Sequence, residues 1–381
     1  MKKKCAVACI LMVVFFLGLA PPVLAGAELE TVKAEAYIMT EADSGKVLLA
    51  KNENKRLPPA SMTKLMTLLL AAEALEEGRV TLKEKVSTSD HASQMGGSQI
   101  YLAPGEEMTF EDMLIAVAVG SANDASVAVA EKLEGTHLAF VDKMNAKAKE
   151  LGMKNTQFKN SNGLPATDHF TTAADMAILA RAALRQPRVM EYCSIKEYPL
   201  RGGKFILYNT NKLLWWYKGT DGFKTGRTEE AKNCLTSTVK RDGLRLIAVV
   251  MASPETRGHF RDSMEMYNYG FARYAYKTFV PRNKMCGTVK VGKGRQEQVE
   301  VLAQEDAGAL FVKGEKAKIT SKQMLLKYVD APVSKGEKLG EVQIYKNGTK
   351  IKTVALIAAQ NVERGGILRQ IKKMFVETYL L

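Results

Sequence analysis

Pro58-Pro59-Ala60-Ser61-Met62-Thr63-Lys64 runs into Leu65-Met66-Thr67-Leu68-Leu69-Leu70-Ala71-Ala72. The run reads as a helix that is apolar nearly all round and stops at Gly78. A helix without a polar face is covered on every side, so this stretch predicts the central buried helix of a sizeable domain. Residues three apart on a helix share a face, which puts Lys64 Nζ within reach of Ser61 Oγ without help from tertiary structure. A free serine hydroxyl is a poor nucleophile and needs a base beside it. An ammonium is no base, so the lysine pKa has to be lowered by burial and by a neighbouring cation. A serine in the first helical turn also gains from free N–H groups and the helix dipole, which favour developing negative charge. Ser61 is therefore a candidate nucleophile, with Lys64 its base.

Two partners follow in order, Ser121-Ala122-Asn123 and Lys224-Thr225-Gly226, and Lys224 supplies the second cation. The chain holds another S-x-x-K, Ser237-Thr238-Val239-Lys240, inside a β-type run. Residues three apart on a strand point to opposite faces, so that lysine cannot serve that serine. S-x-x-K, S-x-N and K-T-G in this order form the motif set of the penicillin-interactive serine enzymes.

Outward from Ser61, residues 36–41 and 46–51 read as two strands joined by a turn at Asp43-Ser44-Gly45. Residues 98–105 read as a loop with a strand-like centre. Thr109-Phe110-Glu111-Asp112 is a capping box that opens a helix ending at Gly120. Ser121-Ala122-Asn123 then forms the turn to a helix reaching about Leu133. Further helices are expected over 136–151 and 172–185, the latter capped by Thr172. The K-T-G falls in an extended segment. A strand over 234–240, a turn at Arg241-Asp242-Gly243, a strand over 244–252 and a helix over 261–276 complete the domain. Strands at both ends with helices between imply an α/β (α+β) fold with one largely antiparallel sheet packed by helices. Composition changes near Pro281. From Cys286 to Ala359 short alternating strands and Gly turns predict a small all-β domain, with a hairpin at Asn347-Gly348. The expected organisation is a leader over 1–27, a catalytic domain over 28–280, a β domain over 281–362 and an amphipathic helix over 363–381.

The ends carry their own signals. Lys2-Lys3-Lys4, the apolar run from Cys5 to Ala20 and the small residues at Val23-Leu24-Ala25 or Ala25-Gly26-Ala27 read as a secretory signal peptide. At the other end Ile367, Ile371, Met374 and Phe375 share one helical face, with Arg369, Lys372 and Lys373 opposite. A basic amphipathic helix at a chain end reads as an interfacial membrane anchor. The formal net charge of +14 remains strongly positive once the leader's three lysines are gone. A basic exported protein can face nucleic acid, anionic lipid or anionic wall polymer. Export disfavours the first and no nucleic-acid-binding signature appears, while a generally solvated basic surface is the plainer reading of the charge. Three cysteines lie outside the leader, Cys193, Cys234 and Cys286, without a C-x-x-C, so neither a disulfide framework nor a zinc site is expected. His91, His137, His169 and His259 show no metal-ligand spacing, and nothing in the sequence places one beside Ser61.

These residues resemble the low-molecular-weight penicillin-binding proteins, the D-alanyl-D-alanine carboxypeptidases of serine peptidase family S11. The likeness takes in the three motifs, Met95-Gly96-Gly97-Ser98, Leu102-Ala103-Pro104-Gly105-Glu106, Asn155-Thr156-Gln157-Phe158, Asn162-Gly163-Leu164 and Ala331-Pro332-Val333. Glu230-Ala231-Lys232 with Cys234-Leu235 resembles the sporulation-associated Firmicute branch. The resemblance implies a penicillin-binding/β-lactamase-like domain followed by the family's β domain and membrane-associating helix. It implies that Ser61 is acylated, that Lys64 is its base, and that Ser121 and Asn123 relay protons and hold the peptide amide. Lys224, Thr225 and Gly226 would meet the substrate's terminal carboxylate. The N–H groups of Ser61 and Arg227 would form the oxyanion hole. Arg227 and His259 would exchange the residue types that many relatives use for one contact. The implied reaction removes the terminal D-Ala from a peptidoglycan pentapeptide stem without metal or organic cofactor. β-Lactams would be covalent inhibitors, and the enzyme would sit on the outer face of the cytoplasmic membrane. Three departures stand out: Arg227 where many relatives have His, Ala122 where Gly is common, and Asn162 where some have His.

A class A-like β-lactamase would share the motifs but needs a carboxylate-activated deacylating water. No Glu-x-x-x-Asn stands in the helical region before Lys224. A wall-binding scaffold would have no use for Ser61, Lys64, Ser121, Asn123 and Lys224 together.

Overall fold

The computed structural model describes residues 29–366. The expected leader and nearly all of the expected terminal helix lie outside the described residues. β1 (Ala36–Glu41) and β2 (Val47–Lys51) form the opening hairpin. A 3-10 turn over Ala60–Thr63 runs into α1 (Lys64–Glu76), buried from Lys64 to Ala72. β3 (Lys85–Ser87) and β4 (Glu107–Thr109) pair around α2 (Asp90–Ser93). α3 (Phe110–Ile115) widens into a π turn over Ala116–Gly120, and α4 (Asn123–Glu134), α5 (His137–Leu151) and α6 (Ala173–Ala183) follow.

Capping explains the helix starts. The hydroxyls of Thr109, Thr136 and Thr172 accept from the N–H groups of Asp112, Ala139 and Asp175, each satisfying a donor that the helix cannot. α7 (Pro187–Ser194), the hairpin β5 (Glu197–Leu200)/β6 (Phe205–Tyr208) and α8 (Leu213–Trp216) lead to β7 (Thr220–Thr228), β8 (Lys232–Arg241) and β9 (Leu244–Ser253). α9 (Gly258–Arg273) closes the domain.

The main sheet has the order β2-β1-β9-β8-β7, antiparallel throughout. β9 shows how it makes two cores. Ile247, Val249 and Met251 point into the core that contains α1, while Leu246, Ala248 and Val250 face the core built with Phe260, Met266 and Tyr267 of α9. That is the period-2 alternation of a strand buried on both faces. β7 is the sheet's edge, which leaves one side of the K-T-G strand open to a ligand.

The second domain contains β10 (Tyr274–Val280), β11 (Met285–Gly292), β12 (Gln298–Ala303), β13 (Ala307–Val312), β14 (Ile319–Leu325), β15 (Tyr328–Asp330), β16 (Lys338–Lys346) and β17 (Thr349–Ala358). Six of them form one sheet, and β10 pairs with β13 in a separate ribbon. Asn347 and Gly348 have φ of 51° and 82°, the two left-handed residues that a tight β16–β17 hairpin requires.

Three expectations change. The helix expected over 261–276 ends at Arg273, because Tyr274-Ala275-Tyr276 joins the alternating, β-favouring run to Val280. Since β10 pairs with β13, the β domain begins at Tyr274 and not at Pro281. The centre of 98–105 is no strand: Tyr101 has φ of 57°, and the buried Asp124 carboxylate holds the N–H groups of Ile100 and Leu102. The domains are tied together by the Tyr276 hydroxyl donating to Asp43 Oδ2 at 2.7 Å, by a Lys352–Asp43 ion pair, and by Lys313 Nζ donating to the Phe271 carbonyl at 2.8 Å.

Candidate active site

Ser61 lies in the 3-10 turn at the head of α1, and Lys64 Nζ is 3.0 Å from its Oγ. Nζ also lies 2.6 Å from Asn123 Oδ1 and 2.6 Å from the Asn162 carbonyl oxygen. Lys64 has no exposed surface. Burial first, and then the charge of Lys224, hold its pKa well below the ordinary lysine value, against an opposing pull from Asp124. A neutral amine has two N–H groups and one lone pair. The two carbonyl oxygens take the N–H groups, which leaves the lone pair facing the Ser61 hydroxyl.

Ser121 and Asn123 owe their positions to the π turn before them. Ser121 sits in the left-handed region at φ 58°, a conformation that ends the helix abruptly. Its predecessors' carbonyls are then free for other partners. Ala118 O accepts from Lys224 Nζ at 3.3 Å, and Val119 O from Thr210 N at 3.3 Å. Asn123 is held by its amide nitrogen donating to Gly96 O at 2.6 Å and its backbone N–H to Ser98 O at 2.7 Å. Lys224 is fully buried, and desolvation lowers its pKa to about 8. Thr225 Oγ1 donates to Thr210 Oγ1 at 2.8 Å, tying β7 to the loop before α8.

Two glycines allow the parts to meet. A Cβ on Gly226 would lie 2.8 Å from Pro59 O and 3.2 Å from Met62 N, so only glycine lets β7 rest on the Ser61 turn. Gly163, at φ 86°, approaches that turn from the other side, where a Cβ would be 1.9 Å from Ala60 O. Ser61, Lys64, Ser121, Asn123, Lys224, Thr225 and Gly226 thus converge from three separate parts of the chain. Arg227, next along β7, is exposed. His259, at the start of α9, is buried. Its desolvation and the charge of Arg227 push its pKa down to about 4, so the ring is neutral at pH 7, and its Nδ1 has no hydrogen-bond partner among the described residues. The pair is near enough to interact, but only Arg227 carries charge.

The second S-x-x-K behaves as its strand requires. Ser237 Oγ is buried 2.9 Å from the Tyr267 hydroxyl, while Lys240 lies at the surface and pairs loosely with Asp306. One histidine does lie close to the Ser61 turn, where nothing in the sequence places it. His169 Nε2 is 2.9 Å from Thr63 Oγ1, inside the S-x-x-K itself. Its Nδ1 accepts from Lys159 N, and burial lowers its pKa to about 4, so the ring is a neutral brace with both nitrogens used. Among the described residues no cluster of acidic, histidine and cysteine side chains could hold a metal ion.

Sequence reasoning missed the support beneath Asn162. The Ser161 carbonyl accepts from Thr67 Oγ1 at 2.7 Å and Ser126 Oγ at 2.8 Å, and Ser161 N donates to His137 Nε2 at 3.1 Å. Thr67 and Ser126 are polar residues within apolar helical runs, which was the available signal.

Residues 24–255 match the family model for D-alanyl-D-alanine carboxypeptidase, peptidase S11. Residues 274–364 match the penicillin-binding protein 5 C-terminal domain. The chain is 42% identical over 345 residues to D-alanyl-D-alanine carboxypeptidase DacF of Bacillus subtilis, covering 90% of this chain and 89% of that one. It is 32% identical to DacC of Escherichia coli, over 90% of this chain and 88% of that one. Penicillin-binding protein 5 from Haemophilus influenzae has the same fold at a TM-score of 0.68 and 29% identity, covering 89% of this chain and all of that one. Ampicillin-bound penicillin-binding protein D2 from Listeria monocytogenes matches 63% of this chain and 98% of its own, with a TM-score of 0.58 and 30% identity. With the motif residues assembled as above and both family models matched in sequence, the chain belongs to the D-alanyl-D-alanine carboxypeptidases of peptidase family S11.

Proposed function

We propose that this chain is a serine-type D-Ala-D-Ala carboxypeptidase that trims peptidoglycan pentapeptide stems through an acyl-enzyme on Ser61. The observation that carries the assignment to Ser61 is the buried, charge-depressed Lys64 amine 3.0 Å from Ser61 Oγ. Ser61 Oγ attacks the carbonyl between the two D-Ala residues as its proton passes to Lys64 Nζ. The N–H groups of Ser61 and Arg227 stabilise the oxyanion. Asn123 holds the peptide amide, and Ser121 carries a proton from Lys64 to the departing D-Ala amine. Lys224 and Thr225 bind the terminal carboxylate of the substrate, Gly226 lets their strand lie against the Ser61 turn, and Arg227 and His259 line the approach. Water then attacks the ester and regenerates Ser61. A β-lactam enters the same first step, but its ring-opened fragment remains attached and blocks the water.

The experiment is mass spectrometry of a penicillin-labelled digest together with D-Ala release from a diacyl pentapeptide. Label on the Ser61 peptide, lost in Ser61→Ala and kept in Ser237→Ala, supports the assignment. Label retained in Ser61→Ala rejects it. Release of many penicillins per second from the adduct would favour a β-lactamase.

Residues 1–27 are proposed to direct export, and residues 363–381 to hold the enzyme on the outer face of the cytoplasmic membrane. The support is the basic n-region with its apolar run and the basic amphipathic period of the tail. Truncation after Val362 should release the enzyme from anionic liposomes while D-Ala release continues. Undiminished liposome binding would show that the tail is not the anchor.

A further inference from the structure

The Asn162 carbonyl reaches Lys64 because the residue before it is held at both ends. Ser161 has no exposed surface. Its carbonyl accepts from Thr67 Oγ1 of α1 and Ser126 Oγ of α4. Its N–H donates to Nε2 of His137, the first residue of α5, at 3.1 Å. Two successive peptide groups are thus fixed, and the next in line carries the oxygen 2.6 Å from Lys64 Nζ. Of these three supports two are hydroxyls, which donate at any pH, and the third is a ring that titrates. An imidazole nitrogen accepts only while it carries no proton, so the Ser161 contact requires neutral His137 with its hydrogen on Nδ1. A protonated Nε2 would face the Ser161 N–H as donor against donor. Ser161 Oγ, also 3.1 Å from Nε2 and directing its own hydrogen to Ser126 O, would take the new N–H. The buried Ser161 amide would then have lost its acceptor, which is costly.

A second histidine bears on the same ring. The titratable groups facing His137 are His91 from α2 and Glu131 from α4, and the 161–163 loop brings none. The His91 and His137 ring centroids are 5.2 Å apart. His91 Nδ1 lies 2.8 Å from Glu131 Oε1, and the other oxygen of that carboxylate accepts from Ser89 Oγ at 2.6 Å. The start of α2 therefore grips α4 and holds His91 beside His137. Burial first, and then His91, lower the His137 pKa from its ordinary value of 6.5 against the pull of Glu131, which leaves the ring neutral at pH 7.

We propose that His137 is a positioning residue for the acylation of Ser61: its unprotonated Nε2 holds the Ser161 amide, and through it the Asn162 carbonyl, where that oxygen orients the Lys64 amine. The ring touches neither the substrate nor the reacting atoms, and His91 protects its neutral state. The inference rests on the acyl-enzyme reading of Ser61 and adds a residue to it that no motif contains.

The test follows penicillin acylation of the full mature protein and of His137→Ala, His137→Gln and His91→Gln across the acid limb, separating the rate at saturation from penicillin binding. At pH 7 His137→Ala should acylate roughly three- to tenfold more slowly, in line with the net contribution of one hydrogen bond. Binding should hardly change, because Lys224 and Thr225 keep their places. A glutamine side chain sets its amide oxygen near the position of Nε2 and gains no proton, so His137→Gln should restore the rate. In the wild type the acid limb should carry an extra step of roughly three- to tenfold, added to the one-proton dependence on Lys64, where His137 takes up its proton. His137→Gln should lack that step. In His91→Gln only Glu131 remains to act on the ring, so the step should move to higher pH. A role confined to packing would produce no such step. A glutamine variant as slow as the alanine one, or a wild-type limb no steeper than that of His137→Gln, overturns the inference while leaving Ser61 in place. If His137→Ala does not fold, the limb of His137→Gln decides alone. Absence of Ser61 labelling in the wild type at every pH overturns the acyl-enzyme reading, and this inference with it.

Discussion

The Nζ of Lys64 lies 2.6 Å from the carbonyl oxygen of Asn162, a backbone atom that no motif encodes. The contact makes the 161–163 loop part of the base's environment. It depends on the shape of that loop and not on the Asn162 side chain, which is occupied with Met95 and Leu164 N. A chain with another residue type before Gly163 can therefore keep the same base.

The pH profile should have limbs set by the two lysines. Turnover needs Lys64 neutral and Lys224 charged. The kcat/KM for a D-Ala-D-Ala peptide should rise as pH passes the lowered Lys64 pKa and fall above about 8, where Lys224 loses its proton. In Lys224→Gln the second cation is gone, so the Lys64 pKa rises and the acid limb of penicillin acylation should move to higher pH. An acid limb that stays in place would show that burial alone tunes Lys64.

Lys224 should destabilise the fold at neutral pH. Its pKa falls from 10.5 to about 8 on folding, so its charged form is disfavoured in the native state. The unfolded chain holds the extra proton between those values, and stability from this group rises with pH across that window. Below about pH 8 the full penalty applies, about 3 kcal/mol at 1.36 kcal/mol per unit. Lys224→Met should be more stable than the wild type by about that amount at pH 7, with the gap closing by pH 10.5. Urea unfolding of both proteins across pH 7–10.5 measures it, and a constant gap would refute the account.

Gly226→Ala should uncouple catalysis from stability. Its Cβ would press on Pro59 O and Met62 N, displacing the Ser61 turn by a few tenths of an ångström. A misplacement of about 1 Å at a reacting atom can cost about a hundredfold in rate, so a shift of a few tenths should lower acylation by roughly three- to tenfold, with a Tm drop of a few degrees. Gly163→Ala, strained by its φ of 86° as well, should lose more stability. Stopped-flow acylation and calorimetry separate the two effects.

Arg227→Ala should raise KM for a peptide ending in a free D-Ala carboxylate by roughly ten- to hundredfold, the usual worth of a charged contact. Acylation by a penicillin ester, which lacks that charge, should change less. His259→Asn should alter neither ligand's charge dependence, because the ring is neutral at pH 7. Equal losses for both ligands in Arg227→Ala, or no loss for either, would reject the carboxylate role.

Local chemistry made much of this protein legible from its residues alone. The Ser61–Lys64 pairing follows from helical spacing, the starts of α3, α5 and α6 from threonine caps, and the β16–β17 turn from Asn347-Gly348. Each depends on residues a few positions apart, where geometry is dictated by the backbone itself. The end of α9 at Arg273 was only half local: the run from Tyr274 favours a strand, and pairing with β13, Val312 lying 38 residues later opposite Tyr274, fixes where that strand begins. Long-range approach also decided the rest of the site. Asn162 O meets Lys64 across 98 residues and Thr225 meets Thr210, while His169 braces Thr63 across 106. Such contacts arise from how the buried helix, the edge strand and the 161–163 loop pack together, and no local pattern records which backbone atom will face a lysine once that packing is complete.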